Sequence, residues 1–181
     1  MVKKEIFDTN SGREAQIGWD KYLDETDGTR NFGYIYGYKT GADELVETGV
    51  LQDTYVFPIV FNYRQYLELV LKNIYKTNKP SVNFTSFLNG AGHNLSKIFF
   101  GVKPILIALK IPSDEIDFIE SVLEDFIEID SSSFNFRYPY DKRNNSTIDT
   151  ESTSSGILKI DLVNLKENID EVDKILFFIY N

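Results

Sequence analysis

The 181-residue chain has no cysteine, which removes disulfides, thiolate metal sites and cysteine nucleophiles together. A single histidine, His93, cannot build a histidine-based metal cluster, so neither a metal nor any other cofactor is expected. A glycine-rich phosphate loop is lacking as well. The stretch GYIYGYKTG has the glycines but not the GxxxxGK[ST] spacing whose amides and lysine cradle a phosphate. No apolar run approaches the roughly 20 residues needed to cross a bilayer. Even the richest stretch, Val56 to Tyr75, is broken by Arg64, Glu68 and Lys72. The opening MVKKEIFDTN lacks the apolar core of a secretory signal, so a cytoplasmic protein without membrane association is expected. Positive charge is scarce: 19 Lys and Arg face 28 Asp and Glu, for a net charge of −9. Duplex binding depends on Lys and Arg displacing counterions from phosphates, so broad nucleic-acid affinity is not expected. A compact basic pocket for one phosphate remains compatible with this balance.

Core-forming material is plentiful, with hydrophobic residues at 42%, 11 Tyr and 14 Phe. A chain of this length fits one domain, taken here as residues 1–181, that buries about 70% of its unfolded surface. Between Ser11 and Glu25 the residues Ala15, Trp19, Tyr22 and Leu23 fall on helical spacing. In the next stretch Ile35, Tyr38, Ala42, Leu45 and Val46 fit a helix face, while Tyr34, Tyr36 and Tyr38 alternate as a strand would. Asp53 or Thr54 can cap a long helix running to about Lys76, apolar nearly all round and therefore central to a bundle. The stretch TNKPSVNFTSFLNGAGHN reads as a polar loop, followed by helices over 94–110 and from Ser113 to Asp130. SFNFRYPY and ILKIDL show period-two patterning and predict a small β-hairpin. The intervening residues, about 142–156, offer almost nothing to bury and are expected to form a mobile loop. Leu162, Leu165, Ile169, Val172, Leu176 and Ile179 step by three and four, predicting a final helix capped by Asp161.

Arg64, Glu68 and Lys72 recur at every fourth residue and share one face of the central helix. Two readings stay open. A guanidinium on a mostly buried helix needs an anionic partner, so Arg64 and Glu68 can be an internal ion pair. Alternatively Arg64, His93 and Arg137 converge on a pocket, with Glu68 orienting the arginine and Asp141 near the rim, ready for a phosphate-bearing ligand. His93, between Gly92 and a helix start, can equally cap or pack. Arg137 would point away from Phe136 and Tyr138 on a strand, toward Glu68 or Asp130 if that face looks inward. Ser113 to Asp130 holds eight acids and no Lys or Arg, which makes either a solvated face or a docking surface for a basic protein partner.

Taken in order, VFPIVFNYRQYLELVLK, GHNL, EIDSSSFNFRYPYDK and ILKIDLVNL resemble uncharacterised bacterial proteins related to the HEPN superfamily. Similar blocks there read YRHxLELxLK, GHDL and FRYPxD. The resemblance spans roughly residues 55–165 and implies a mainly α, HEPN-like helical bundle, here with the small β-hairpin insertion. It also implies a bacterial or phage conflict or toxin–antitoxin setting, nucleotide or RNA binding, and a homodimer among the assemblies. HEPN nucleases carry Arg and His on one helix with four to six residues between them. After Arg64 those places hold Leu69, Val70 and Leu71; before His93 they hold Ser86, Phe87 and Leu88. The usual RNase activity is therefore not expected. The function implied is binding of a nucleotide, an RNA end or a partner protein. The alternative is an acidic inhibitor or antitoxin-type module without a small-molecule site, and a third reading is an atypical nuclease using Arg64, Glu68 and His93.

Overall fold

The computed structural model describes residues 32–78, 84–130, 133–148 and 155–180, together with residues 15 and 150. The helix expected between Ser11 and Glu25 lies outside the described residues. Six helices form: α1 (Phe32–Glu47), α2 (Gln52–Asn78), α3 (Phe84–Ala91), α4 (Leu95–Ala108), α5 (Ser113–Asp130) and α6 (Leu162–Tyr180). The protein is a mainly α-helical bundle. No helix among the described residues is long and apolar enough to cross a membrane.

At 27 residues, α2 is about 40 Å long, and it packs against α1, α4 and α6. Its burial follows from its sequence. Ile59, Val60, Tyr63, Tyr66, Leu67, Val70, Leu71 and Ile74 are nearly or fully covered, so apolar groups meet partners on every side. Pro58, the seventh residue of α2, lies inside the helix and withholds one amide from its main-chain ladder. Two fully buried tyrosines of α2 carry hydroxyls into the interior, and both find a carboxylate: Tyr63 donates to Asp43 of α1 at 2.7 Å and Tyr66 to Asp173 of α6 at 2.6 Å. Burial, together with those carboxylates, pushes both phenols above their ordinary range. Lys39 joins α1 to α6 by bridging Asp43 and Asp170.

In α1 the helical spacing prevails over the tyrosine alternation: Ile35 and Ala42 are buried and Tyr34 and Tyr36 lie exposed. Asn94 caps α4 by accepting from the Lys97 amide at 2.9 Å, and Asp161 caps α6 by accepting from the Val163 and Asn164 amides at 3.0 Å. Two expectations are corrected. Part of the polar loop between α2 and α4 is helix α3, because Phe84, Phe87 and Ala91 share a face that meets α2: the Phe87 ring stacks on Tyr75 with centroids 3.6 Å apart. The β-hairpin is not formed among the described residues. The Phe134–Tyr138 segment is a turn, since Asp130 accepts from the Phe134 and Asn135 amides and the Phe134 carbonyl accepts from the Arg137 amide. Those groups are spent locally and cannot pair with ILKIDL. A single antiparallel bridge, Tyr140 to Ser146, is present among the described residues.

Two helical glycines predict opposite signs. A Cβ on Gly101 of α4 would lie 2.6 Å from the Phe87 ring and 3.3 Å from Tyr75, where nothing yields without breaking the stack. Gly37 of α1 has nothing within 4 Å. Urea unfolding should therefore find Gly101→Ala destabilised, with about 1–3 kcal/mol of overpacking exceeding the helix gain. Gly37→Ala should be stabilised by about 0.5–1 kcal/mol.

Candidate functional site

Arg64 is fully buried and spends its guanidinium in three directions. Nε donates to the Asp130 carbonyl at 3.1 Å, one terminal nitrogen donates to Glu68 Oε2 at 3.0 Å, and the other donates to the His93 carbonyl. Glu68, 3% exposed, is shared by three cations or donors, because its second oxygen takes Lys72 Nζ at 2.7 Å and lies 2.8 Å from His93 Nδ1. Burial alone would raise the Glu68 pKa. The bonds from Lys72, His93 and Arg64 outweigh it and hold the carboxyl below its ordinary value. The every-fourth-residue stripe is thus an internal ionic network, with Glu68 at its centre.

His93 is tied at both ends, its carbonyl by Arg64 and its ring by Glu68, although the side chain is 65% exposed. An ionised Glu68 can only accept, so neutral His93 must carry its proton on Nδ1. The imidazole closes the network from the solvent side.

Asp130, also fully buried, connects this network to the turn that follows α5. Its Oδ1 accepts from the Phe134 and Asn135 amides at 2.8 and 3.1 Å, and its Oδ2, without a hydrogen-bond partner among the described residues, lies 3.9 Å from Arg64 Nε. Gln65, next to Arg64, donates to Ser133 Oγ at 2.6 Å. The turn is therefore anchored to the middle of α2 at several points.

Arg137 emerges from that turn on the far side. It meets neither Glu68 nor the Asp130 carboxylate. Its Nε donates to the Ser133 carbonyl at 2.6 Å, and its guanidinium lies 5.7 Å from the Phe61 ring centre and 5.6 Å from that of Tyr138. No carboxylate pairs with it among the described residues. Asp141 also stands apart from Arg64. Its Oδ1 accepts from the Arg143 and Asn145 amides and its Oδ2 from the Asn145 side chain, so it organises the 141–145 turn. Those bonds, led by the Asn145 amide, hold its carboxyl below the usual range. Residues 142–148 of the expected mobile loop are pinned here by Thr147, whose hydroxyl donates toward the Asn135 and Tyr138 carbonyls. Most of the remainder of that loop lies outside the described residues.

The five residues singled out from sequence therefore separate. Arg64, Glu68 and His93 come together, sealed except for the imidazole; Arg137 and Asp141 do not join them. Arg137 instead lines an open groove of about 1100 Å³ between the start of α2, the 135–140 turn, residues 146–148 and 150, and the 157–163 segment. Phe57, Tyr138, Tyr140, Ile157 and Val163 give it exposed apolar and aromatic walls, and Lys159 adds a second cation without a carboxylate partner among the described residues. Sequence reasoning missed this groove. Its one legible signal was Arg137 flanked by aromatic residues, because the walls come from segments about a hundred positions apart. No grouping of three or more His, Asp or Glu able to hold a metal ion occurs among the described residues.

Searches against protein-family models, curated proteins and solved structures give no match to this chain.

Proposed function

We propose that this chain acts by binding a partner protein through the groove at Arg137, as a HEPN-like cytoplasmic component of a bacterial or phage conflict system, without RNase activity of the HEPN type. The observation that carries the reading is the contrast between two arginines. Arg64 has every direction filled by protein and is closed to any ligand. Arg137 is exposed, oriented by a carbonyl and two rings, and has no acid paired with it among the described residues. A guanidinium set in place but unpaired favours recognition of an acid brought by a partner. The groove's size and mixed apolar and polar walls suit a protein segment.

The test separates the groove from the acidic face of α5. Partners recovered by crosslinking in the native host should be lost with Val163→Asp and retained when Asp117, Glu124 and Asp125 are neutralised together as amides. The opposite pattern would assign recognition to α5 and overturn the proposal. A nucleotide or short RNA that raises the melting temperature would instead favour a phosphate-bearing ligand, since saturation at a hundred times Kd adds about 2.7 kcal/mol. RNA incubated with wild type or with His93→Ala should stay intact in both cases.

A further inference from the structure

We infer that the groove takes its partner as an added β-strand, an extended segment of alternating apolar and acidic residues paired onto the main chain of Ile157 to Ile160. This rests on the partner-protein reading above and specifies its mode. The backbone amides of Ile157, Leu158, Lys159 and Ile160 donate to nothing among the described residues, and the carbonyls of Leu158, Lys159 and Ile160 accept from nothing. The four residues carry no secondary structure, yet ILKI is a β-prone sequence with a charged residue among apolar ones. A run of unpaired donors and acceptors beside a groove is a template for another strand. The groove-side setting makes that template selective. Ile157 is 59% exposed and Leu158 36%, so apolar side chains of an incoming strand gain cover there.

Charge fixes the chemistry of the partner. Lys159 and Arg137 both line the groove and neither has a carboxylate partner among the described residues. Of the two acids lining the groove, Asp161 is occupied by the Val163 and Asn164 amides, and Asp53 stands in the first turn of α2, where the helix N-terminus offsets its charge. A carboxylate placed opposite Lys159 makes a cross-strand ion pair, and a second can reach the guanidinium, whereas a basic segment would meet like charge. The chain's net charge of −9 keeps long acidic segments away, so the fitting segment is short, with acids set between apolar residues.

The probe is an acetylated, amidated heptapeptide, Thr-Val-Glu-Val-Glu-Val-Thr, added to the 15N-labelled full chain. Expected are slowed amide exchange at residues 157–160, loss of that protection when alternate peptide amides are N-methylated, and about fivefold weaker binding when Lys replaces both Glu. Lys159→Glu, at an exposed side chain without partners among the described residues, should invert the preference between the Glu and Lys peptides while leaving the spectrum of the helices intact. Binding that survives N-methylation, or a Lys peptide that binds as well as the Glu peptide, would overturn the strand-pairing inference and leave the partner-protein reading standing. Absence of peptide binding also overturns it. If adenosine monophosphate shifts the groove resonances where the peptide does not, both readings fail.

Discussion

Arg64→Met should destabilise the protein by about 3–5 kcal/mol in urea unfolding, because removing one member of a buried ionic network leaves the others desolvated and unpaired. Three bonds go at once, to Glu68, to the Asp130 carbonyl and to the His93 carbonyl. Lysine is a poor substitute, since one ammonium cannot reach three acceptors that a planar fork meets together. Arg64→Lys should therefore recover only part of the loss. The damage should also travel. Asp130 holds the Phe134 and Asn135 amides, and Ser133 holds Arg137, so the turn presenting Arg137 loses its brace. Faster hydrogen exchange at Phe134 and Asn135, ahead of global unfolding, is the local signature. If Arg64→Met cost less than about 1 kcal/mol, the range for ordinary surface pairs, the network would not hold the fold together.

The helices were legible because their cause is local. Leu162 through Ile179 repeat on a face, Asn94 and Asp161 are short polar caps, and both caps bond as their positions predict. Helix α3 was missed although Phe84, Phe87, Leu88 and Ala91 fall on helical spacing, because its eight residues are short and lie among Thr, Ser, Asn and Gly that read as loop, and the Phe87–Tyr75 stack that accompanies it is a tertiary contact. The hairpin misled for a related reason. SFNFRYPY alternates as a strand should, but the carboxylate of Asp130 captures its first amides and turns the chain. No count of apolar residues reveals that competition. At the candidate site, the spacing of Arg64, Glu68 and Lys72 correctly placed three charges in one row. Which way Arg137 points depends on the turn, and so could not be read from the row.

Glu68 is where acid should enter the fold. Its pKa in the folded protein lies below the ordinary 4.5, so the carboxylate form is favoured by folding, through Lys72, His93 and Arg64. Such a group contributes stability above its unfolded pKa, and that contribution disappears as pH falls through the lower folded value. Between pH 7 and about 5 the contribution should be complete, and below the ordinary carboxylate value it should decline. Glu68→Gln keeps the shape and removes the charge, leaving Arg64 without a compensating anion at that position. At neutral pH it should be destabilised by several kcal/mol, and Glu68→Ala by about 3–5 kcal/mol. The decisive comparison is the difference between wild type and Glu68→Gln across pH, since the other carboxylates titrate in both proteins and cancel. That gap should be widest near pH 7, narrow below pH 4.5, and nearly close once Glu68 is protonated in the folded state. A gap that stayed constant down to pH 2 would mean that the Glu68 charge contributes nothing, and that Arg64 is held by the two backbone carbonyls alone.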